Sequence, residues 1–219
     1  MATSGSKVQR ATATRTQLKR VARRMFATRG ISAVGLREVA VAAGQRNTAA
    51  VHYHFGTKDD LLRELLVDGA RAIDAHRCMM LDAAEAAGAV TLDDVVRALV
   101  QASLDLRSDP EDFETYHRFI SNIMGERREL FESTIVDRHA VGYQRATQHV
   151  RRLLGDVPPA EVDRRIVFAT LSLQAIFTAR EAACDAVRGD AHPFWGRADV
   201  TQGIFTTTAT ILRQRDPNG

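Results

Sequence analysis

The sequence predicts an all-α protein of about nine helices, and three observations carry that prediction. Apolar residues recur at i, i+3, i+4 and i+7 in one segment after another, the period of a helix with one buried face. Gly and Pro fall at the ends of those segments, where helices stop. No stretch alternates with the period of two that a half-buried strand needs, and no internal repeat is present.

Residues 1–14 are rich in Ala, Thr and Ser, carry Lys7 and Arg10, and show no period. They read as a disordered basic arm. From Arg15 to about Thr28, Leu18, Val21, Ala22, Met25 and Phe26 form one inward stripe, closed by Arg29-Gly30. Ile31 and Val34 are placed to fill the core behind it. Leu36 to Gly44 is a short helical pattern with Gly44 as its stop. The next helix is expected to open near Asn47, with Val51 and Phe55 facing inward. Thr48, Ala49, His52 and Tyr53 then make a stripe on the opposite side, with Arg46 before it and Lys58 after it.

Thr57-Lys58-Asp59-Asp60 has the spacing of a capping box, so a further helix starts at Lys58 and runs through Leu61, Leu62, Leu65, Leu66 and Ile73. Gly88 breaks it, and Thr91 opens another helix that Ser108-Asp109-Pro110 ends. Phe113, Tyr116, Phe119, Ile120, Ile123 and Met124 follow, the densest aromatic and Met cluster in the chain. One helical run is expected over Glu126 to Leu154, a long helix over 160–187, and a last one over 199–213. The organisation expected is a helix-turn-helix domain over 15–60, a helical domain over 61–214 and a tail at 215–219.

Charge is distributed unevenly. The net charge is +3, but residues 1–58 hold eleven Lys or Arg against the single acid Glu38, a local +10. The remaining 161 residues carry −7. An N-terminal part that meets a polyanion and a C-terminal part that does not would give this asymmetry. No apolar run approaches the roughly 18 residues of a membrane span, and no signal-peptide core follows the basic start, so a cytoplasmic location is expected. Cys78 and Cys184 are far apart, which fits two free thiols rather than a disulfide framework.

Two short helices joined by a tight turn, the second offering polar groups outward, follow helix-turn-helix logic. From about Thr16 to Leu66 the chain resembles the tetracycline-repressor (TetR) family. The resemblance rests on Arg37-Glu38-Val39-Ala40, then Ala43-Gly44, then Tyr53-His54-Phe55-Gly56-Thr57-Lys58-Asp59-Asp60-Leu61-Leu62. The family usually has an aromatic where His52 stands and one residue fewer between Gly44 and Phe55.

That resemblance implies a regulator that binds a double-stranded DNA operator as a homodimer. Tyr53, His54 and Lys58 would grip phosphates, Arg46, Thr48 and Ala49 would meet base edges or thymine methyls, Asn47 would cap the helix, and His52 suits either role. It also implies a C-terminal effector cavity. Phe113, Tyr116, His117, Ile120, Asn122, Ile123, Met124, Gln174 and Phe177 are its candidate lining, for a small apolar or aromatic effector. The last two helices would form a four-helix dimer interface, with Phe168, Leu171, Ile176 and Ile204 as candidates. A regulator that binds DNA with no effector, and more distantly a helical enzyme, are the alternatives.

Other chemistry has little support. His52 and His54 are two apart and point about 200° apart on a helix, so they cannot share an ion. Glu114 and His117 make at most half a metal site. None of the phosphate-binding, dinucleotide or hydrolase motifs is present, so no cofactor and no catalysis are expected.

Overall fold

A computed structural model describes residues 3–45, 47, 49–106, 113–135, 140–187 and 192–214. Among the described residues there are ten α-helices and no strand. They are α1 (Thr3–Arg29), α2 (Leu36–Ala42), α3 (Ala50–Phe55), α4 (Lys58–Ala87) and α5 (Leu92–Asp105), then α6 (Tyr116–Glu126), α7 (Arg128–Ile135), α8 (Val141–Leu153), α9 (Pro159–Ala186) and α10 (Ala198–Arg213).

Two compact units form. The first joins Met1–Gly69 with Ser108–Asp137, and the second joins Ala70–Arg107 with Arg138–Gly219. The division therefore does not fall at the 60/61 boundary that the sequence suggested, because α6 and α7 join the N-terminal helices. Helix α6 packs along α1. Asn122 Nδ2 donates to the Phe26 and Ala27 carbonyls in the last turn of α1 at 2.8 and 3.1 Å, the first of which also accepts from the Gly30 N–H. Tyr116 Oη donates to the Leu66 carbonyl at 2.7 Å, and its ring lies so close to α4 that a Cβ on Gly69 would overlap it.

The core of the first unit is Leu18, Ala22, Phe26, Ile31, Val39, Val51, Leu61, Leu62, Leu65, Leu66, Phe119 and Ile123, all buried. The stripe expected on α1 is thus the one that packs. The helix itself is longer than expected and begins at Thr3, so residues 3–14 are helical where an irregular arm was expected. No Gly or Pro interrupts residues 6–29, and extending an existing helix costs far less than nucleating one. Val8 to Ala13 are exposed.

The second unit gathers Leu81, Val95, Val96, Leu99, Val100, Ala146, Val150, Val162, Ile166, Leu173, Phe177, Ile204 and Leu212 into one apolar cluster. Thr91 caps α5 as expected: its hydroxyl accepts from the Asp94 N–H and the Asp94 carboxylate accepts from the Thr91 N–H. The single run expected over 126–154 is two helices, α7 and α8. Asp74 on α4 marks the second start by accepting from the Gly142 and Tyr143 N–H groups at 2.9 and 3.2 Å, a carboxylate at a helix N-terminus. Cys78 and Cys184 form no disulfide and are half-buried.

Candidate nucleic-acid interface

Helix α2 is set by its ends. Glu38 accepts from the Gly35 N–H at 2.9 Å, the reciprocal half of a capping box, and from Arg29 at 2.8 Å. Those two donors, the backbone first, hold its carboxyl below the usual range. At the far end Gly44 sits at φ 71°, a left-handed residue that only glycine adopts without cost. The Gly44 N–H reaches the Val41 carbonyl and the Gln45 N–H reaches the Ala40 carbonyl, both at 3.0 Å. This is a Schellman stop, and it turns the chain sharply toward α3.

Helix α3 opens later than expected. Asn47 caps it from a distance: its Oδ1 accepts from the Ala49 N–H at 2.9 Å, and regular helix starts at Ala50. Val51 is fully buried and Phe55 nearly so, which fixes the rotation of the six-residue helix. The Arg15 guanidinium lies 4.8 Å over the Phe55 ring and adds a cation–π contact to that anchor. With those two residues inward, Ala49, His52 and Tyr53 face outward, Tyr53 at 85% exposure. His54 is half-exposed, with its ring 5.2 Å from that of Tyr53. Arg46 and Thr48 lie outside the described residues.

Lys58 is placed differently from its expected role. It starts α4, but its ammonium donates to the Ile31 carbonyl at 2.6 Å and lies 5.6 Å over the Phe26 ring. Partial burial, and behind it the nearby Arg127, lower its pKa. The reason is local: Gly30 (φ 89°) lifts the turn after α1, and Glu126 holds that turn by accepting from the Ile31 and Ser32 N–H groups at 2.8 and 2.7 Å. Arg127 then pairs with Asp59 at 2.6 Å. The end of α6 is thereby fastened to the α1–α2 turn and to the start of α4.

The basic excess is also partly spent inside the unit. Lys19 pairs with Glu64 and Asp68 on α4, Arg15 with Glu64, and Arg29 with Glu38. Arg37, exposed on α2, makes no ion pair among the described residues. The signal that could have singled it out is its position on the solvent face one residue before Glu38, with no acid at i±3 or i±4.

The remaining candidates divide between the units. Phe113, Tyr116, His117, Ile120, Asn122, Ile123 and Met124 lie in the first, whereas Gln174 and Phe177 lie on α9 in the second. Phe113, Tyr116, His117 and Ile123 are buried, Ile120, Asn122 and Met124 half-buried. Tyr116 and Asn122 spend their polar atoms on backbone carbonyls, which corrects the expectation that they orient a ligand. Phe177 is buried in the second core and Gln174 donates to Thr178.

On α9, Phe168 and Leu171 are 55% and 53% exposed, and Val167 beside them 51%. Ile176 is half-buried against the core. Ile204 is only 4% exposed within its own unit, a core residue rather than an outward one. By length and composition α9 would pass for a membrane span, contrary to expectation. Its uncharged stretch, Ile166 to Ala179, is 14 residues bounded by Arg165 and Arg180, short of the roughly 20 that a span needs. Among the described residues no group of three or more His, Cys, Asp or Glu could hold a metal ion.

Residues 19–65 match the family described as bacterial regulatory proteins, tetR family. Residues 97–196 match the tetracyclin repressor-like C-terminal domain. Among solved structures the chain is similar to a TetR family transcriptional regulator, PfmR, from Thermus thermophilus. The two share 17% identity and a TM-score of 0.50, over 91% of this chain and 98% of that one, a likeness of fold. No curated protein matches.

Proposed function

The chain belongs to the TetR family of DNA-binding transcriptional regulators, and from that premise we propose a repressor that binds a near-palindromic operator as a homodimer and is released by a small effector. The observation that carries the DNA half is α3. Val51 and Phe55 lock its rotation, so its free side offers His52 and Tyr53 rather than the Glu, Lys or Gln of an ordinary solvent face. In this reading Tyr53, His54 and Arg37 hold phosphates, while Ala49, His52, Arg46 and Thr48 meet bases.

One six-residue helix makes too few contacts for operator affinity, so two copies are needed, reading half-sites about 34–36 Å apart. The exposed Val167, Phe168 and Leu171 supply the surface through which they pair. The effector is proposed to sit among the C-terminal helices, where Gln174 and Phe177 remain candidates, and to favour a state whose half-site spacing no longer fits the groove. Helix α4 is one continuous helix with turns in both units, and it would carry that shift. A cytoplasmic location and the absence of catalysis follow from the same reading.

The test is a fluorescence-anisotropy titration at two salt concentrations, against duplexes from the gene's own upstream region and a scrambled control. Saturation at two chains per duplex, on the upstream DNA only, is the expected result. Equal, steeply salt-dependent binding to both would reduce α3 to an electrostatic surface, and no binding at low salt would end the proposal.

A further inference from the structure

Resting on the reading that α3 meets DNA, we propose that His52 is a base-reading hydrogen-bond acceptor, selecting cytosine or adenine at one position of each half-site. Gly56 sets this up. Its backbone, at φ 75° and ψ −103°, turns the carbonyl back toward α3. His52 Nδ1 lies 2.8 Å from that oxygen. A carbonyl can only accept, so Nδ1 carries the hydrogen, and a neutral imidazole with its hydrogen on Nδ1 has a bare lone pair on Nε2. The ring is exposed, and among the described residues Nε2 has no hydrogen-bond partner.

What that lone pair can meet is restricted. Phosphate oxygens are acceptors and offer it nothing. In the major groove guanine presents N7 and O6, thymine O4 and a methyl group, none of them donors. Donors come only from the N4 amine of cytosine and the N6 amine of adenine. The neighbours are suited to the other task, since the Tyr53 hydroxyl can donate to a phosphate. The fold therefore separates adjacent side chains into a positioning group and a reading group by fixing one tautomer.

Selection from a randomised duplex pool at neutral pH, with the full chain and with His52→Phe, tests this. The wild type should enrich adenine or cytosine at one position per half-site, and the variant should lose preference there while keeping the others. Deleting that single exocyclic amine from the selected duplex, with purine for adenine or pyrimidin-2-one for cytosine, should weaken the wild type about five-fold more than His52→Phe, the lower end of one base contact. The deletion is on the DNA, so protein folding cannot account for it. Enrichment of guanine or thymine at the His52-dependent position would overturn the inference, as would a variant uniformly weaker on every sequence. A wild type that enriches no sequence would overturn the reading of α3 itself, and the inference with it.

Discussion

At the scale of single residues, two glycines separate packing from backbone strain. Gly69 lies on helical α4 under the Tyr116 ring, which its Cβ would enter, and that ring is pinned by its own hydrogen bond to Leu66. Overpacking of this kind costs about 1–3 kcal/mol, and Gly69→Ala belongs at the upper end because Tyr116 is only 1% exposed and cannot swing out. Gly44 has nothing within 4 Å of its Cβ site, but its φ is 71°. Gly44→Ala should therefore lose only the left-handed penalty of about 1–2 kcal/mol. Urea unfolding of both variants checks the order, and equal losses would mean that the Tyr116 ring moves. Lys58 is a third case: Lys58→Ala removes a donor to Ile31 and a contact to Phe26, and should cost about 1–2 kcal/mol of stability. Arg37→Ala touches no such partner. It should leave stability unchanged, weaken all DNA sequences alike and lower the salt slope by about one unit.

At the scale of elements, the fastening of α6 to the α1–α2 turn rests on a carboxylate. Hydrogen bonds from Ser32, with that from the Ile31 N–H, hold the Glu126 carboxyl below its ordinary pKa. A depressed folded-state pKa means stability that is present above the unfolded value and lost as pH falls through the carboxylate range. Glu126→Gln should thus cost about 1 kcal/mol at pH 7, near the low end because the side chain is exposed. The same variant should cost clearly less near pH 3; an equal loss at both pH values would show that ionisation does not matter there. This fastening was not legible in the sequence. The helical period showed where α6 lies and that Tyr116, Phe119 and Ile123 share a face, but not which helix that face covers. Nothing local distinguishes an Asn that caps a distant helix, as Asn122 does, from one that orients a ligand. The positions whose meaning is local were readable: Gly44 as a stop, Thr91 as a helix start, and Val51 with Phe55 inward. His52 shows the limit, because the role proposed for it depends on a carbonyl four residues on whose direction follows from the Gly56 backbone.

At the scale of the whole molecule, the proposed dimer depends on surface that a lone chain leaves bare. Val167, Phe168 and Leu171 sit within one turn of α9, each more than half exposed, on a helix whose other face is in the second core. The sequence could not separate the two faces, because apolar residues occur all round α9 and no narrow stripe stands out, so the period alone does not tell Ile176 from Phe168. In the proposed dimer, Phe168→Glu with Leu171→Glu places four like charges across a C2 interface and should yield a monomer by sedimentation equilibrium. Each α3 and its fold are untouched, so circular dichroism and thermal unfolding of the monomer should stay cooperative. Operator affinity should then fall by about 10²–10⁴, the advantage that a second tethered module gives when both half-sites are engaged. Binding to a duplex holding one half-site should be the same for the variant and the wild type, because that event uses one α3 only. Loss on both duplexes would point instead to damage in the first unit, and a variant that remained dimeric would move the interface away from this face of α9.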